Sequence, residues 1–370
     1  MKESTVFNNN NTAFRTGDYP LFLGQPLGTY DTKNRPYPKL FELYKQQKAQ
    51  DWSEDEVPLH QSRIDFKTAP RSETDICLET LMWQWEADSR VSRNIFALLA
   101  PFITNNELGT AVLKQTEIEA LHALTYSDIV FQCLEDGIAV MEKIKANQEV
   151  LRRSSLLDDI MEEVEKLGAM YRLGMEIDEE HLRQTLCKFM VCLLALEGIQ
   201  FMSSFACTFA LAERDLFMGV AQLVQKIMLD EILHSKIDFE IIRILREDPV
   251  WAESFRQCMG EIKIILDTVI ETEEGWSDYI FSDGRAIVGL NSKLLKEWVY
   301  YCAKPMYDFL GIEFSFDVVT KNPLPLMDKW MEIDKQQNAN QEQDNTQYLL
   351  NTLVDDAAEK IIKWDFFKYE

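Results

Sequence analysis

Between Glu180 and Arg246 the chain contains no proline and only two glycines, Gly198 and Gly219, so almost nothing in that span forces the backbone out of a helix. Leu, Glu, Lys, Ala and Met recur through it, and all of them lose little side-chain freedom on a helix. The scarcity is general, with 14 glycines and 11 prolines in 370 residues. Helical patterning starts near Ser72, with breaks expected at Pro101, Asn105-Asn106, Gly137, Gly168 and Gly174. An all-α bundle of long helices follows. The period falls toward two only near Ser282-Asp283-Gly284 and in Glu313-Phe314-Ser315-Phe316-Asp317, which allows a small β-hairpin at most.

Three regions are expected. Residues 1–38 hold the tract Asn8-Asn9-Asn10-Asn11 and Pro20, Pro26, Pro36 and Pro38, and read as an irregular surface segment. The helical domain runs over 39–334, opening with a short helix from Lys39 to about Gln50 and then Trp52 and Ser53-Glu54-Asp55-Glu56, where Ser53 suits an N-cap. Residues 335–370 form a tail: 335–347 carry no apolar residue except Ala339, and apolar character returns from Tyr348, Leu349 and Leu350 to Trp364, Phe366 and Phe367. An apolar segment on a polar linker suits docking on a partner protein.

A formal charge of −24 argues against nucleic acid as a partner, because counterion release needs clustered Lys and Arg. The same acidity suits a protein that collects hard cations, although it also serves as a solubilising surface. The seven cysteines, Cys77, Cys133, Cys187, Cys192, Cys207, Cys258 and Cys302, are scattered and never form a Cys-x-x-Cys pair, so they read as buried thiols of a reducing compartment. Met1 to Thr12 has no apolar signal core, and no uninterrupted apolar run reaches the roughly 18 residues of a membrane span. A cytoplasmic protein without a membrane partner is expected.

Two of the four histidines, His122 and His234, stand three residues after a glutamate, in Glu119-Ala-Leu-His122 and Glu231-Ile-Leu-His234. Positions i and i+3 share a helix face with a rise of roughly 4.5 Å, so carboxylate and imidazole reach one ion. A single such motif in so acidic a chain is commonplace. Two together point to a bundle di-metal site, which pairs them with one further carboxylate from each of two other helices. Glu197 is the clearest candidate, a lone charge in Val191–Phe201 that would be costly to bury without a partner. For the other, Asp88 and Glu86 in Met82–Ser89 compete on spacing alone. Four carboxylates and two imidazoles suit iron or manganese better than zinc. Tyr126 follows His122 by one turn on the same face, where it is oxidisable at close range. Phe201, Phe205 and Phe209 form an apolar stripe beyond Glu197, and Ile227 precedes Glu231 by one turn; such a stripe is ordinary core that would also shield a radical.

These residues resemble the small subunit of class I ribonucleotide reductases, from Leu21-Phe-Leu-Gly-Gln-Pro26 to the Tyr348 region. The most specific stretch is Leu196-Glu-Gly-Ile-Gln-Phe-Met-Ser-Ser-Phe-Ala-Cys-Thr-Phe-Ala-Leu-Ala-Glu-Arg214, followed by Asp230-Glu-Ile-Leu-His234; Gly289-Leu-Asn291 and Asn322-Pro-Leu-Pro with Trp330 are similar to family segments too. The resemblance implies a ferritin-like bundle in which Asp88, Glu119, His122, Glu197, Glu231 and His234 ligate two iron ions, with manganese as the alternative. It implies that Tyr126 is the radical tyrosine, with Phe201, Phe205 and Ile227 as its pocket. Trp52, Asp230 and His122 would form the relay from the metal site to the surface, and Tyr348 would pass the oxidising equivalent to the large catalytic subunit. Dioxygen and an external electron donor complete the implied chemistry, and a homodimer is the implied assembly. One departure stands out: Gln115, one turn before Glu119, occupies a place where well-known members carry tryptophan. The rival expectations are another ferritin-like di-metal oxidase acting on a small molecule or fatty acyl chain, iron storage, or a structural adaptor.

Overall fold

The computed structural model describes residues 6–332. Residues 6–37 hold no helix apart from the single turn α1 (Ala13–Thr16). Helix α2 (Pro38–Ala49) starts on a proline, whose missing N–H has no partner to lose there. Ser53 then closes a capping box with Glu56 over a 3₁₀ turn, Glu54–Glu56. Helix α3 (His60–Thr68) leads into two long antiparallel partners, α4 (Arg71–Leu99) and α5 (Asn106–Cys133), which pack along their lengths. Pro101 and Asn105 fall between them, and Asn105 caps α5 by accepting the Leu108 N–H at 2.9 Å.

Helices α6 (Gly137–Ala146) and α7 (Gln148–Leu173) are capped by Asp136 and Asn147, and Gly174 closes α7 in the left-handed region, at φ 68°. Gly168, an expected break, sits inside α7: a lone glycine costs a helix only about 1 kcal/mol. A Cβ there would come within 3.1 Å of Pro101, so its smallness serves packing. Helix α8 (Glu179–Ala195) continues through a π-turn (Leu196–Gln200) into α9 (Phe201–Ala212). The long helix expected from Glu180 to Arg246 is therefore interrupted. It ends again before α10 (Met218–Glu247), in a break that no proline or glycine announces. Asp215 and Phe217 take positive φ of 58° and 55°, held by the Asp65 carboxylate, which accepts the Phe217 N–H at 2.9 Å, and by Phe66 packing on Phe217. Asp248 and Pro249 start α11 (Pro249–Ile280), Asn291 caps α12 (Ser292–Leu310), and α13 (Pro325–Met331) ends the described chain.

No β-strand occurs among the described residues, only the isolated bridges Phe22–Ile103 and Ile287–Leu290. The alternating Phe314 and Phe316 pack instead on Tyr307 and Tyr300 of α12, at ring distances of 4.9 and 5.7 Å. All seven cysteines are free and buried. The continuous helical run Glu179–Ala212 is by length and composition long and apolar enough to cross a membrane, a property that counting uninterrupted apolar residues does not reveal. In sequence Lys188 and Glu197 interrupt the run. In the fold its most apolar window is entirely buried by neighbouring helices, as the central helix of a bundle is.

Candidate metal centre

Four segments deliver the acids and imidazoles. Asp88 comes from α4, Glu119 and His122 from α5, Glu197 from the π-turn, and Glu231 and His234 from α10; none is more than 2% exposed. Their ligand atoms fall into two overlapping sets, Asp88, Glu119, His122 and Glu231, and then Glu119, Glu197, Glu231 and His234, with all atoms of a set within 4.8 Å of one another. Glu119 and Glu231 belong to both, so each could serve either of two ions. Geometry also separates Asp88 from Glu86: Glu86 pairs with Arg90 and accepts from Ser154 Oγ at 2.6 Å, while both Asp88 oxygens are buried with no hydrogen-bond partner.

Such orphaned atoms are the observation that fits a metal to this site. Glu197 Oε2, Glu231 Oε1, His122 Nδ1 and His234 Nε2 likewise lack an aligned hydrogen bond, although His122 Nδ1 lies 3.1 Å from Glu231 Oε1. Buried polar groups left so are costly, and cations resolve them. Electrostatics agree. Burial, then the charges of Glu119 and Glu231, push Asp88 well above the carboxylate range, and burial with neighbouring acids, Asp238 first, does the same to Glu197. Against its own burial, Glu119 is held at about 2 by the neighbouring imidazoles of His122 and His234. His234 is raised to about 9, its burial outweighed by Glu119 and Glu231.

His122 turns its other nitrogen outward. Nε2 lies 3.1 Å from Asp230 Oδ2, and the same oxygen accepts Trp52 Nε1–H at 2.7 Å, while the Trp52 and His122 rings stack at 6.2 Å. An Nε2–H held by Asp230 leaves the Nδ1 lone pair for an ion, the usual arrangement of a ligating histidine. Trp52 and Asp230 in turn line a surface cleft of about 310 Å³ with Gln50, Asp51, Lys114 and Glu117. Tyr126 is wholly buried, and its hydroxyl has no hydrogen-bond partner among the described residues; burial and the charges of Asp88, Glu231 and Glu119 push its pKa well up. Phe201, Phe205 and Ile227 are each at most 1% exposed, with the two phenylalanine rings stacked at 5.6 Å. Tyr348 and the tail lie outside the described residues. His181 stays apart, paired with Glu163 at the surface.

Three features escaped sequence reasoning wholly or in part. Gln115 Nε2 donates to Glu197 Oε1 at 2.8 Å, so the departure noted in the sequence bears directly on a candidate ligand. Asp238, one turn past His234, is buried against Glu197 and, among the described residues, pairs with no lysine or arginine; burial pushes its carboxyl up to about 8. Its signal was available as the i+4 position after His234 on an otherwise apolar face. The π-turn under Glu197 had only Gly198 to mark it.

Residues 30–323 match the family described as "Ribonucleotide reductase, small chain". The ribonucleoside-diphosphate reductase subunit beta of Haemophilus influenzae is 30% identical over 367 residues, covering 95% of this chain and 96% of the relative. Among solved structures, the ribonucleotide reductase R2 subunit from Clostridium botulinum superposes with a TM-score of 0.72 at 19% identity, over 90% of this chain and 99% of that one. The dimanganese(II)-NrdF of Streptococcus sanguinis gives 0.66 at 15% identity, over 82% and 99%. The two structures establish the fold; the match over most of the length and a relative aligned nearly end to end establish more, namely that this chain belongs to the ribonucleotide reductase small-chain family.

Proposed function

We propose that the chain is the radical-generating subunit of a ribonucleoside-diphosphate reductase, acting as a homodimer with a separate large catalytic subunit on which nucleotides are reduced. The observation that carries this is the pair of ligand sets sharing Glu119 and Glu231, with the unpartnered hydroxyl of Tyr126 buried beside them. Two iron ions bound there, or manganese in their place, would supply the oxidising equivalent derived from dioxygen. Tyr126 would give up an electron to the bound metals and its phenolic proton to the carboxylate cluster beside it, where Asp88 acts on it most strongly, to become a neutral radical. Phe201, Phe205 and Ile227 keep water and thiols from it, a role supported by their complete burial. His122, Asp230 and Trp52 form an unbroken line of contacts to the surface cleft, suited to bring in an electron from an external donor and to lead the oxidising equivalent out. Tyr348 is the next proposed station, on the tail that docks on the large subunit. A cytoplasmic location accords with the free cysteines.

An oxidase of small molecules has no use for that outward line, and family membership does not favour it. The test is reconstitution with Fe(II) or Mn(II) and oxygen, followed by metal analysis, electron paramagnetic resonance and a reductase assay with the large subunit. Two metal ions per chain and a tyrosyl signal absent from Tyr126→Phe are expected. A tyrosyl radical persisting in Tyr126→Phe would refute its assignment.

A further inference from the structure

Arg153 on α7 is an arginine with no exposed side-chain surface, and the Glu273 carboxylate of α11 that it meets is equally buried. Nε donates to Glu273 Oε1 and Nη2 to Oε2, both at 2.7 Å, the two-pronged geometry of a strong pair. The guanidinium lies between two indoles, 3.5 Å from the Trp83 ring centroid and 4.3 Å from that of Trp276. Stability alone does not explain such a pair, since apolar residues of similar volume often hold a core together as well or better.

The remaining donors all point at one place. Nη2 also donates to the Gln200 carbonyl oxygen and to Ser203 Oγ, and Nη1 donates to Ser204 Oγ, each at 3.2 Å. Gln200 ends the π-turn that carries Glu197. In that turn the Phe201 N–H reaches back five residues to the Leu196 oxygen, so the helical ladder is out of register and its carbonyls need donors from elsewhere. Gln200 returns the contact, its Nε2 donating to the Arg153 oxygen at 3.2 Å and to Glu273 Oε1 at 3.3 Å. Trp83 packs on Phe201, the next residue, at 5.0 Å. Released from this grip, the turn could relax to regular helix by a shift of one residue, which would swing Glu197 by about 100° around the axis. That rotation removes it from Gln115 and from the set it forms with Glu119, Glu231 and His234.

We propose that Arg153, paired with Glu273, is a positioning residue for the metal centre: it fixes the π-turn and so holds Glu197 on the second of the two ligand sets. This rests on the two-metal reading above. The experiment is a Mn(II) titration of the full-length protein followed by the electron paramagnetic resonance signal of the free ion, which yields stepwise affinities. Wild type should bind two ions; fewer would overturn the two-metal reading and this proposal with it. Arg153→Met/Glu273→Leu removes both charges together, and Arg153→Lys keeps the charge but not the fork. Both should bind the first ion, through Asp88, Glu119, His122 and Glu231, as wild type does, and the second at least about tenfold more weakly, the scale of lost outer contacts around a metal. Wild-type affinity for both ions, or parallel weakening of both, would overturn the proposal while leaving the two-metal reading standing. If the double variant does not fold, Arg153→Lys decides by the same criterion.

Discussion

Removing the hydroxyl of Tyr126 should stabilise the metal-free protein, the opposite of what deleting a buried polar group normally does. The side chain is wholly buried, and its oxygen has no hydrogen-bond partner. A buried hydroxyl left unpaired costs roughly 1–3 kcal/mol in lost hydration. Phe refills the site apart from one oxygen, whose dispersion contacts are worth only about a few tenths of a kcal/mol. Tyr126→Phe should therefore gain about 1 kcal/mol, a rise in Tm of about 1–2 °C for a chain of this length. Tyr307 supplies the control: it is also buried, but its hydroxyl donates to Asp267 Oδ1 at 2.7 Å, so Tyr307→Phe should lose about 1–2 kcal/mol. Scanning calorimetry in the presence of chelator reads both. If Tyr126→Phe lowers Tm as the control does, the hydroxyl has a partner in the folded protein, and the case for a tyrosine kept unbonded beside the ligands fails.

Three more outcomes follow from the same geometry. Asp230→Ala removes the shared acceptor of Trp52 and His122; the yield of tyrosyl radical on reconstitution should fall, and turnover with the large subunit should drop roughly 100-fold, as misplacement of a reacting line does, while undiminished radical yield and turnover would show that the line is not the route. Gln115→Leu deletes the 2.8 Å donor to Glu197 and should weaken the second ion by about 10- to 100-fold in a metal titration; two unchanged affinities would make the contact incidental. Ions added at about 100 times their Kd should stabilise the protein by about 2.7 kcal/mol each, seen as a higher Tm than in chelator, and an identical Tm would mean that the six side chains hold nothing.

What the sequence could disclose here depended on how local the physics was. The two Glu-x-x-His motifs and Tyr126 obey a spacing within one helix, so periodicity alone placed them on common faces. Glu197 was legible by cost, as a charge in an apolar run. Asp88 was not: it and Glu86 differ in sequence by two positions, and what separates them is the arrangement of neighbours, with Arg90 and Ser154 capturing one and Glu119, His122 and Glu231 gathered about the other. The long helices were legible from missing glycine and proline, but the break at Asp215 and Phe217 was not, because its strain is offset by Asp65, far away in sequence.

The same distinction accounts for the π-turn. A register slip of one residue inside a long apolar helix changes no composition and no alternation that a sequence could display, yet it decides whether Glu197 faces the centre. Its cause lies in side chains 47 and 73 residues away, Arg153 bonding the Gln200 oxygen and Glu273 meeting the Gln200 side chain. Local spacing therefore specifies the two Glu-x-x-His pairs, while on the proposal above a distant ion pair sets whether Glu197 joins them. On that proposal a second ion would depend on a contact that neither its ligands nor their spacing contain.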